Sequence, residues 1–381
     1  MVNRKSRIRR ISDWLHLWLG LITGILVVII SITGCLYVFE RDLRDITEPY
    51  RFVTVENKPL LPPSVLRSIA EKRTGVRATG VQYGRPGEAA AVTYTKKSQG
   101  FTYVYLNPYT GDFIREKIRD RDFFRIVLAG HFYLWLPPKI GQPVVSVTVL
   151  IFVFLLISGI IMWWPKKWNR TTRKNSFGIN WKARFKRLNY DLHNVLGFYV
   201  LLLAFVIAVT GLVFGFKWFA RSYHYLVTGG KTLPATKKPL SDTAYILPTL
   251  VQNTEDSIWQ LAMQEYAPIT GLLQISFPGK TADPVAVTYN PDKKTYYKRI
   301  FRYFDRYTAK ELPTSIPAPA TTGEKIYRMN YDIHVGAAFG FTGKIIAFTA
   351  SLICASLPVT GFLIWWGRKR KVRLPNKRTD Q

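Results

Sequence analysis

Four stretches of the chain carry no Asp, Glu, Lys or Arg: 14–39, 140–164, 192–216 and 345–367. Each exceeds the roughly 20 residues that a helix needs to cross the hydrocarbon core of a bilayer. A length of 381 residues with 48% apolar residues would otherwise read as two or three soluble domains. Concentrating the apolar residues in four blocks excludes that reading. The expected fold is therefore membrane α-helical, with spans at those four positions. A leading segment 1–13, a short loop 165–191 and a tail 368–381 would lie on one side, and two long loops, 40–139 and 217–344, on the other.

Charge sets the expected orientation. Segments 1–10, 165–188 and 368–378 hold 5, 9 and 7 Lys or Arg and no acid, which by the positive-inside rule assigns them to the cytoplasm. Both termini are then cytoplasmic and the long loops lie outside. The first apolar run is about twice the ~7–15 residues of a cleaved signal peptide, so it is expected to stay as an anchor. The net charge of +30 does not point to nucleic acid, because the basic residues flank spans instead of covering one folded domain. Cys35 and Cys354, the two cysteines, both fall inside spans and read as buried thiols.

The chain is internally repeated. Span 1 carries His16 and Gly20, then Thr33-Gly34; span 3 carries His193 and Gly197, then Thr210-Gly211, at the same intervals. Before span 2 come His131 and Gly141, then Ser158-Gly159 and Trp163-Trp164 within it. Before span 4 come His334 and Gly343, then Thr360-Gly361 and Trp365-Trp366. The long loops echo each other too. The first reads as a helix from Pro63 to Lys72, then alternating strands such as Ala91–Tyr94 and Tyr103–Leu106, closing on Asn107-Pro108-Tyr109-Thr110-Gly111-Asp112. The second has a helical stretch from Ser257 to Tyr266, strands near Leu272–Phe277 and Val285–Tyr289, and a degraded copy of that turn from Phe304 to Lys310. Such alternation, punctuated by Gly and Pro, predicts two small α+β modules.

These motifs resemble those of the PepSY-associated transmembrane proteins: the His, Leu and Gly pattern of span 1, outer modules ending in Asn-Pro-Tyr-Thr-Gly, and the Gly and Trp-Trp pattern of the even spans. The resemblance covers nearly the whole chain. It implies two extracytoplasmic PepSY-like modules on a duplicated two-helix unit. Characterised relatives of that kind include haem-containing inner-membrane reductases of ferric siderophores.

Four of the five histidines occupy matched repeat positions. A pseudo-twofold axis along the membrane normal would bring His16 and His193 to the inner level and His131 and His334 to the outer one, as two bis-imidazole haem sites. At 100° per residue, Gly20 lies ~40° from the direction of His16; Gly34, eighteen residues on, points the same way about 27 Å along the axis. Gly197 and Gly211 repeat this for His193. Glycine removes side chains from a face that a flat macrocycle needs, so one glycine pair is expected beside each haem. Zinc would want closed tetrahedral ligand sets, which the spacing lacks. No Cys-x-x-Cys-His exists for covalent attachment, so the expected cofactor is non-covalent, two haems b per chain. Interfacial histidines also bridge headgroups and water, and small residues also serve helix packing; the fourfold match in register favours ligands. His224 has no counterpart in the first repeat and reads as a surface residue. Asp191 and Asp332, two residues before His193 and His334, read as caps or as imidazole partners. The six tryptophans near the inner interface read as lipid anchors, and Pro358 as a kink.

Gly340-Phe341-Thr342-Gly343-Lys344 lacks the Ser or Thr of a phosphate loop, and no dinucleotide or flavin signature is visible. The electron donor is therefore expected to be separate, a cytoplasmic reductase or a quinol. The resemblance implies an oxidoreductase that reduces a ferric siderophore or similar chelate held between the two modules on the periplasmic side. Two alternatives stay open: a haem protein serving another acceptor or quinol, and a non-enzymatic PepSY protein that binds or regulates a periplasmic protein or protease.

Overall fold

The computed structural model describes residues 6–165, 167–234, 238–245, 254–313, 319 and 321–372. Residues 1–5 of the basic leading segment and 373–381 of the basic tail lie outside the described residues. The chain divides into two compact units, one built of 1–39, 127–223 and 333–381, the other of 40–126 and 224–332.

The first unit contains four helices long and apolar enough to cross a membrane: Arg7–Val38, Pro138–Trp163, Phe185–Gly215 and Ala337–Lys369. The first and third each pack against both the second and the fourth, closing a ring of four. Leu156, Val200, Ala204, Ala350 and Cys354 form the buried centre; small residues there let the backbones approach, as packing without a hydrophobic driving force requires. Cys35 and Cys354 are both buried with free thiols. Arg9 donates to the Met162 and Trp164 carbonyls at 2.9 and 3.4 Å, so a cation satisfies the last turn of the second span. The aromatic belt is not uniform. Trp14, Trp18, Trp164 and Trp366 are exposed, whereas Trp163 is buried, stacks on Phe198 at 3.9 Å and donates to the Ser176 carbonyl. Trp163 is thus an interior packing residue and not a lipid anchor.

The second unit is α+β. Its strands are β1 (Ala78–Tyr83), β2 (Ala90–Lys96), β3 (Gly100–Leu106), β4 (Phe113–Ile118), β5 (Leu272–Ser276), β6 (Val285–Asn290), β7 (Ile300–Phe304) and β8 (Glu311–Leu312). They form one antiparallel eight-stranded sheet in the order β4-β3-β2-β1-β5-β6-β7-β8. The helices α1 (Pro63–Thr74) and α2 (Thr254–Tyr266) cover its apolar face. Leu66 and Ala70 of α1 and Ile258 and Ala262 of α2 enter one core with Val81, Val92, Leu273, Ile275 and Val287. Strand alternation sends such residues to a single face, which is the period the sequence carries. Asp256 accepts from the Ser64 N–H at 2.8 Å, and Arg67 pairs with Glu255 at 2.9 Å, tying the two helices together.

Two modules were expected; they share a single sheet. β1 and β5 pair antiparallel, with Val81 opposite Ile275 and Gln82 opposite Gln274, and the Gln82 amide donates to the Gln274 carbonyl oxygen at 3.2 Å. The junction between the copies is closed by backbone hydrogen bonds, so the expected cleft between separate modules is absent at that seam. The copied turn keeps its geometry despite its altered sequence. Gly111 N–H reaches the Asn107 carbonyl at 2.9 Å, and Ala309 N–H reaches the Asp305 carbonyl at 3.0 Å. Gly111 (φ 81°) and Ala309 (φ 55°) both take the left-handed conformation, so the second copy carries a strain that glycine avoids in the first.

Candidate functional site

The membrane unit gathers four of the five histidines into two pairs. His16 and His193, one from each repeat, lie with ring centroids 6.4 Å apart and planes at 89°. His131 and His334 lie 6.1 Å apart at 60°. His193 sits in a π-helical turn, Leu192–Leu196, that interrupts the third span; such turns often mark functional positions. His131 lies in the last turn of the apolar helix Phe123–Tyr133. Leu134 and Trp135 then both adopt positive φ, 53° and 58°, to turn the chain into the second span. Two such residues in succession carry about 1–3 kcal/mol of backbone strain each.

Each imidazole is held by the same device. His193 Nδ1 bonds the Leu357 carbonyl at 3.1 Å and the Thr360 hydroxyl at 2.9 Å. His334 Nδ1 bonds the Ile207 carbonyl at 3.0 Å and the Thr210 hydroxyl at 3.1 Å. His131 Nδ1 bonds the Ile30 carbonyl at 2.9 Å and the Thr33 hydroxyl at 3.4 Å. For His16 the partner is the Ser158 hydroxyl at 2.9 Å, which in turn donates to the Leu155 carbonyl at 3.1 Å. A carbonyl only accepts, and the Ser158 hydroxyl already donates to Leu155, so Nδ1 carries the proton in every ring and the Nε2 lone pair is left available. The hydroxyls in turn donate to carbonyls of their own helices, as Thr360 does to Ser356 at 3.0 Å.

A glycine follows each hydroxyl residue: Thr33-Gly34, Ser158-Gly159, Thr210-Gly211 and Thr360-Gly361. A Cβ at Gly34, Gly211 or Gly361 would stand 3.2 Å from Cε1 of His131, His334 or His193, and one at Gly159 would stand 3.5 Å from Cε1 of His16. The dipeptide therefore does two jobs, anchoring Nδ1 and clearing the ring edge. Of the glycines singled out from the sequence, Gly34 and Gly211 lie beside the outer histidines, whereas Gly20 and Gly197 face Leu155 and Leu357. Ser158, Thr360, Gly159 and Gly361 are the residues that the pattern of intervals did not connect to the histidines. Their signal was the recurrence of Ser/Thr-Gly in all four spans.

Other expectations are corrected. His224 is 4% exposed and not a surface residue: its Nδ1 donates to the Lys231 carbonyl at 3.0 Å, and Tyr327 packs against the ring at 4.9 Å. Asp191 and Asp332 serve backbone, not imidazole. Asp191 accepts from the Asn180 N–H at 3.2 Å and pairs with Arg187, and Asp332 accepts from the Tyr296 and Tyr297 N–H groups at 2.8 Å each.

Among the described residues no group of three or more His, Cys, Asp or Glu is placed to hold a metal ion. Paired imidazoles suit a metal that brings its remaining ligands with it, as haem iron does. With ring centroids 6.4 and 6.1 Å apart and Nδ1 engaged in every ring, each pair would offer its two remaining ring nitrogens to such a group.

Fold and site together define a multi-pass membrane protein in which a duplicated two-helix unit is joined to an α+β sheet. The chain belongs to the family of the PepSY-associated TM region, which it matches over residues 14–368. A search among curated proteins returns no match.

Proposed function

We propose that the four histidines hold two b-type haems and that the protein carries electrons across the membrane to a ferric chelate of the siderophore type. The observation behind this is the pair of centroid separations, 6.4 and 6.1 Å, between imidazoles whose Nδ1 atoms are already bonded. Bound there, haem supplies one-electron redox chemistry. His16 with His193, and His131 with His334, would hold each haem through two imidazoles, and haem so held would supply electron transfer rather than oxygen chemistry. The chain's contribution is positional. His16 and Gly34 are separated by eighteen residues of one helix, about 27 Å of rise, and Gly34 backs His131, so the same helices hold both pairs at their two ends.

The positive-inside rule orients the His16–His193 end toward the cytoplasm and the sheet toward the periplasm. The reaction balances as two electrons from a quinol or a reduced cytoplasmic reductase, one to each of two ferric ions, with the donor's protons released on the donor's side. Ferrous iron is less charge-dense, and oxygen-rich chelators hold it poorly, so reduction releases it.

The test is a dithionite-reduced minus oxidised absorbance spectrum of the purified protein, with haem counted per chain. Two b-type haems, reoxidised by ferric chelates, are expected. A colourless protein after expression with ample haem would overturn the reading and leave the sheet as a binding or regulatory domain.

A further inference from the structure

Between the second and third spans, segment 167–191 is folded onto the bundle. Its helix Arg170–Phe177 opens on a capping box, in which Thr172 N–H donates to Asn169 Oδ1 and Asn169 N–H to Thr172 Oγ1, each at 2.8 Å. The Trp163 indole donates to the Ser176 carbonyl at 3.3 Å and the Tyr199 hydroxyl to the Phe177 carbonyl at 3.2 Å. The Phe177 ring packs 5.3 Å from both Trp163 and Phe198. A second helix, Phe185–Asp191, runs straight into the π-helical turn that carries His193. From it the Asn189 amide donates at 3.0 Å to the carbonyl of Thr360, whose hydroxyl bonds His193. The segment is thus tied to the inner histidine pair.

Its surface charge has one sign. The segment holds eight Lys or Arg and a single acid, Asp191, which is fully buried and pairs with Arg187 at 2.8 Å. Arg170, Arg173, Lys174, Lys182, Arg184 and Lys186 are exposed, and among the described residues none of them has an acidic partner. In the same stretch Trp181 and Phe185 are 71% and 67% exposed; aromatic residues and arginine are what the centres of protein interfaces are enriched in. Topology requires basic residues on this side, but not their display on a folded surface. An interfacial helix would lay an apolar face into lipid. Arg170–Phe177 has one apolar residue, and packing on Trp163 and Phe198 uses it. The basic face of that helix is therefore turned to water. Lys186 stands seven residues before His193, about 10 Å of helical rise, so a protein seated on these charges is brought to the inner pair.

We propose that segment 167–191 is the docking surface for an acidic soluble one-electron carrier, a flavin or iron–sulfur protein, and that this carrier, not a quinol, is the electron donor. The inference rests on the electron-transfer reading above. At each encounter one electron leaves the carrier's reduced centre for the oxidised haem of the His16–His193 pair. The carrier is oxidised by one electron and no bond forms or breaks, so two encounters supply two ferric ions. Opposite charge steers the carrier in, which makes the encounter fast at low salt and slow at high salt.

The experiment places the full chain in phosphatidylcholine nanodiscs. Oxidised flavodoxin, an acidic flavoprotein, is the binding probe, and its fully reduced form is the donor. Calorimetry is expected to show binding that weakens about tenfold or more as salt is raised through the physiological range. Stopped-flow mixing is expected to show haem reduction with the same salt dependence. A variant combining Arg173→Gln, Lys174→Gln, Lys182→Gln and Lys186→Gln leaves four basic residues in the segment to keep the topology. It is expected to lower both affinity and reduction rate by about tenfold or more, with haem content and reduction by dithionite unchanged. Lys72→Gln, Lys96→Gln and Lys97→Gln, at exposed positions of the α+β unit, should change neither quantity. Binding indifferent to salt and to the four substitutions would overturn the proposal. So would haem reduction by duroquinol that outpaces flavodoxin at equal concentration. Loss of co-purifying phosphatidylglycerol from the combined variant, with its flavodoxin affinity intact, would reassign the charges to lipid headgroups and equally overturn it. A colourless protein that binds flavodoxin as expected would keep the docking surface and refute the electron-transfer reading.

Discussion

A Cβ on Gly361 would stand 3.2 Å from Cε1 of His193, closer than side chains ordinarily pack, and Gly34 and Gly211 hold the same relation to His131 and His334. Alanine at any of the three must push an imidazole by a few tenths of an ångström. At Gly159 the gap to His16 is 3.5 Å, an ordinary contact. Gly361→Ala, Gly34→Ala and Gly211→Ala are therefore expected to lower the haem content or shift the spectrum of the adjacent site, while Gly159→Ala keeps both haems. Haem counting on purified variants checks this, and an equal effect at all four positions would show that ring clearance is not what the glycines provide.

If the histidine pairs hold haem as proposed, the pairing across repeats sets which haem each histidine variant should lose. His16→Ala and His193→Ala should each reduce the haem count from two to one and leave the same residual spectrum. His131→Ala and His334→Ala should share the complementary one. Different residual spectra from His16 and His193 variants would sink the pairing.

The hydroxyls grade the strength with which the rings are held. Ser158→Ala removes a 2.9 Å bond to His16, whereas Thr33→Val removes one of 3.4 Å from a ring whose 2.9 Å carbonyl bond remains. Loss of such outer contacts typically costs about 10–100-fold in metal affinity. Ser158→Ala is expected inside that range and Thr33→Val below it, measured as haem transfer to a competing apoprotein.

Asp305 supplies a prediction about stability. Its carboxylate, 3% exposed, accepts from the N–H groups of Asp242 at 2.7 Å and of Tyr307 and Thr308 at 2.9 Å each. Burial alone would raise its pKa, but these bonds outweigh burial and hold it below the usual carboxylate range. A depressed native pKa contributes stability that is complete above the unfolded value, about 3.9, and is lost as pH falls through the native value. Asp305→Ala leaves buried donors unpaired and should cost about 1–3 kcal/mol. Asp305→Asn copies the first repeat, where Asn107 Oδ1 accepts from the Tyr109 N–H at 2.9 Å; it should cost less and flatten the acid limb of the unfolding curve. Thermal unfolding between about pH 3 and pH 7 distinguishes them.

The spans, the repeat and the helices and strands quoted from the two loops were legible because each rests on local periodicity or on residue intervals. The predicted helix from Pro63 to Lys72 lies inside Pro63–Thr74, and Ala91–Tyr94 lies inside β2. The meeting of like histidines followed from symmetry and is visible as two close pairs. What lay outside the sequence was everything that depends on a partner far along the chain. The Ser/Thr-Gly dipeptides stood in plain view, but their work is done on a ring about a hundred residues or more away: 98 from Thr33 to His131, and 142 from Ser158 to His16. The burial of His224 has the same origin, since Tyr327 reaches it from another helix. The merging of two modules into one sheet was hidden because an edge strand and a central strand carry the same alternation.

The β1–β5 seam has a consequence for how the protein is made. Each copy alone would end in an open strand edge, which invites pairing with whatever strand it meets. Placing both copies on one polypeptide turns that pairing into an intramolecular event governed by tether length, not abundance. The seam thus lets one chain complete a dimer-like sheet from its own two copies, with the partner strand always within reach.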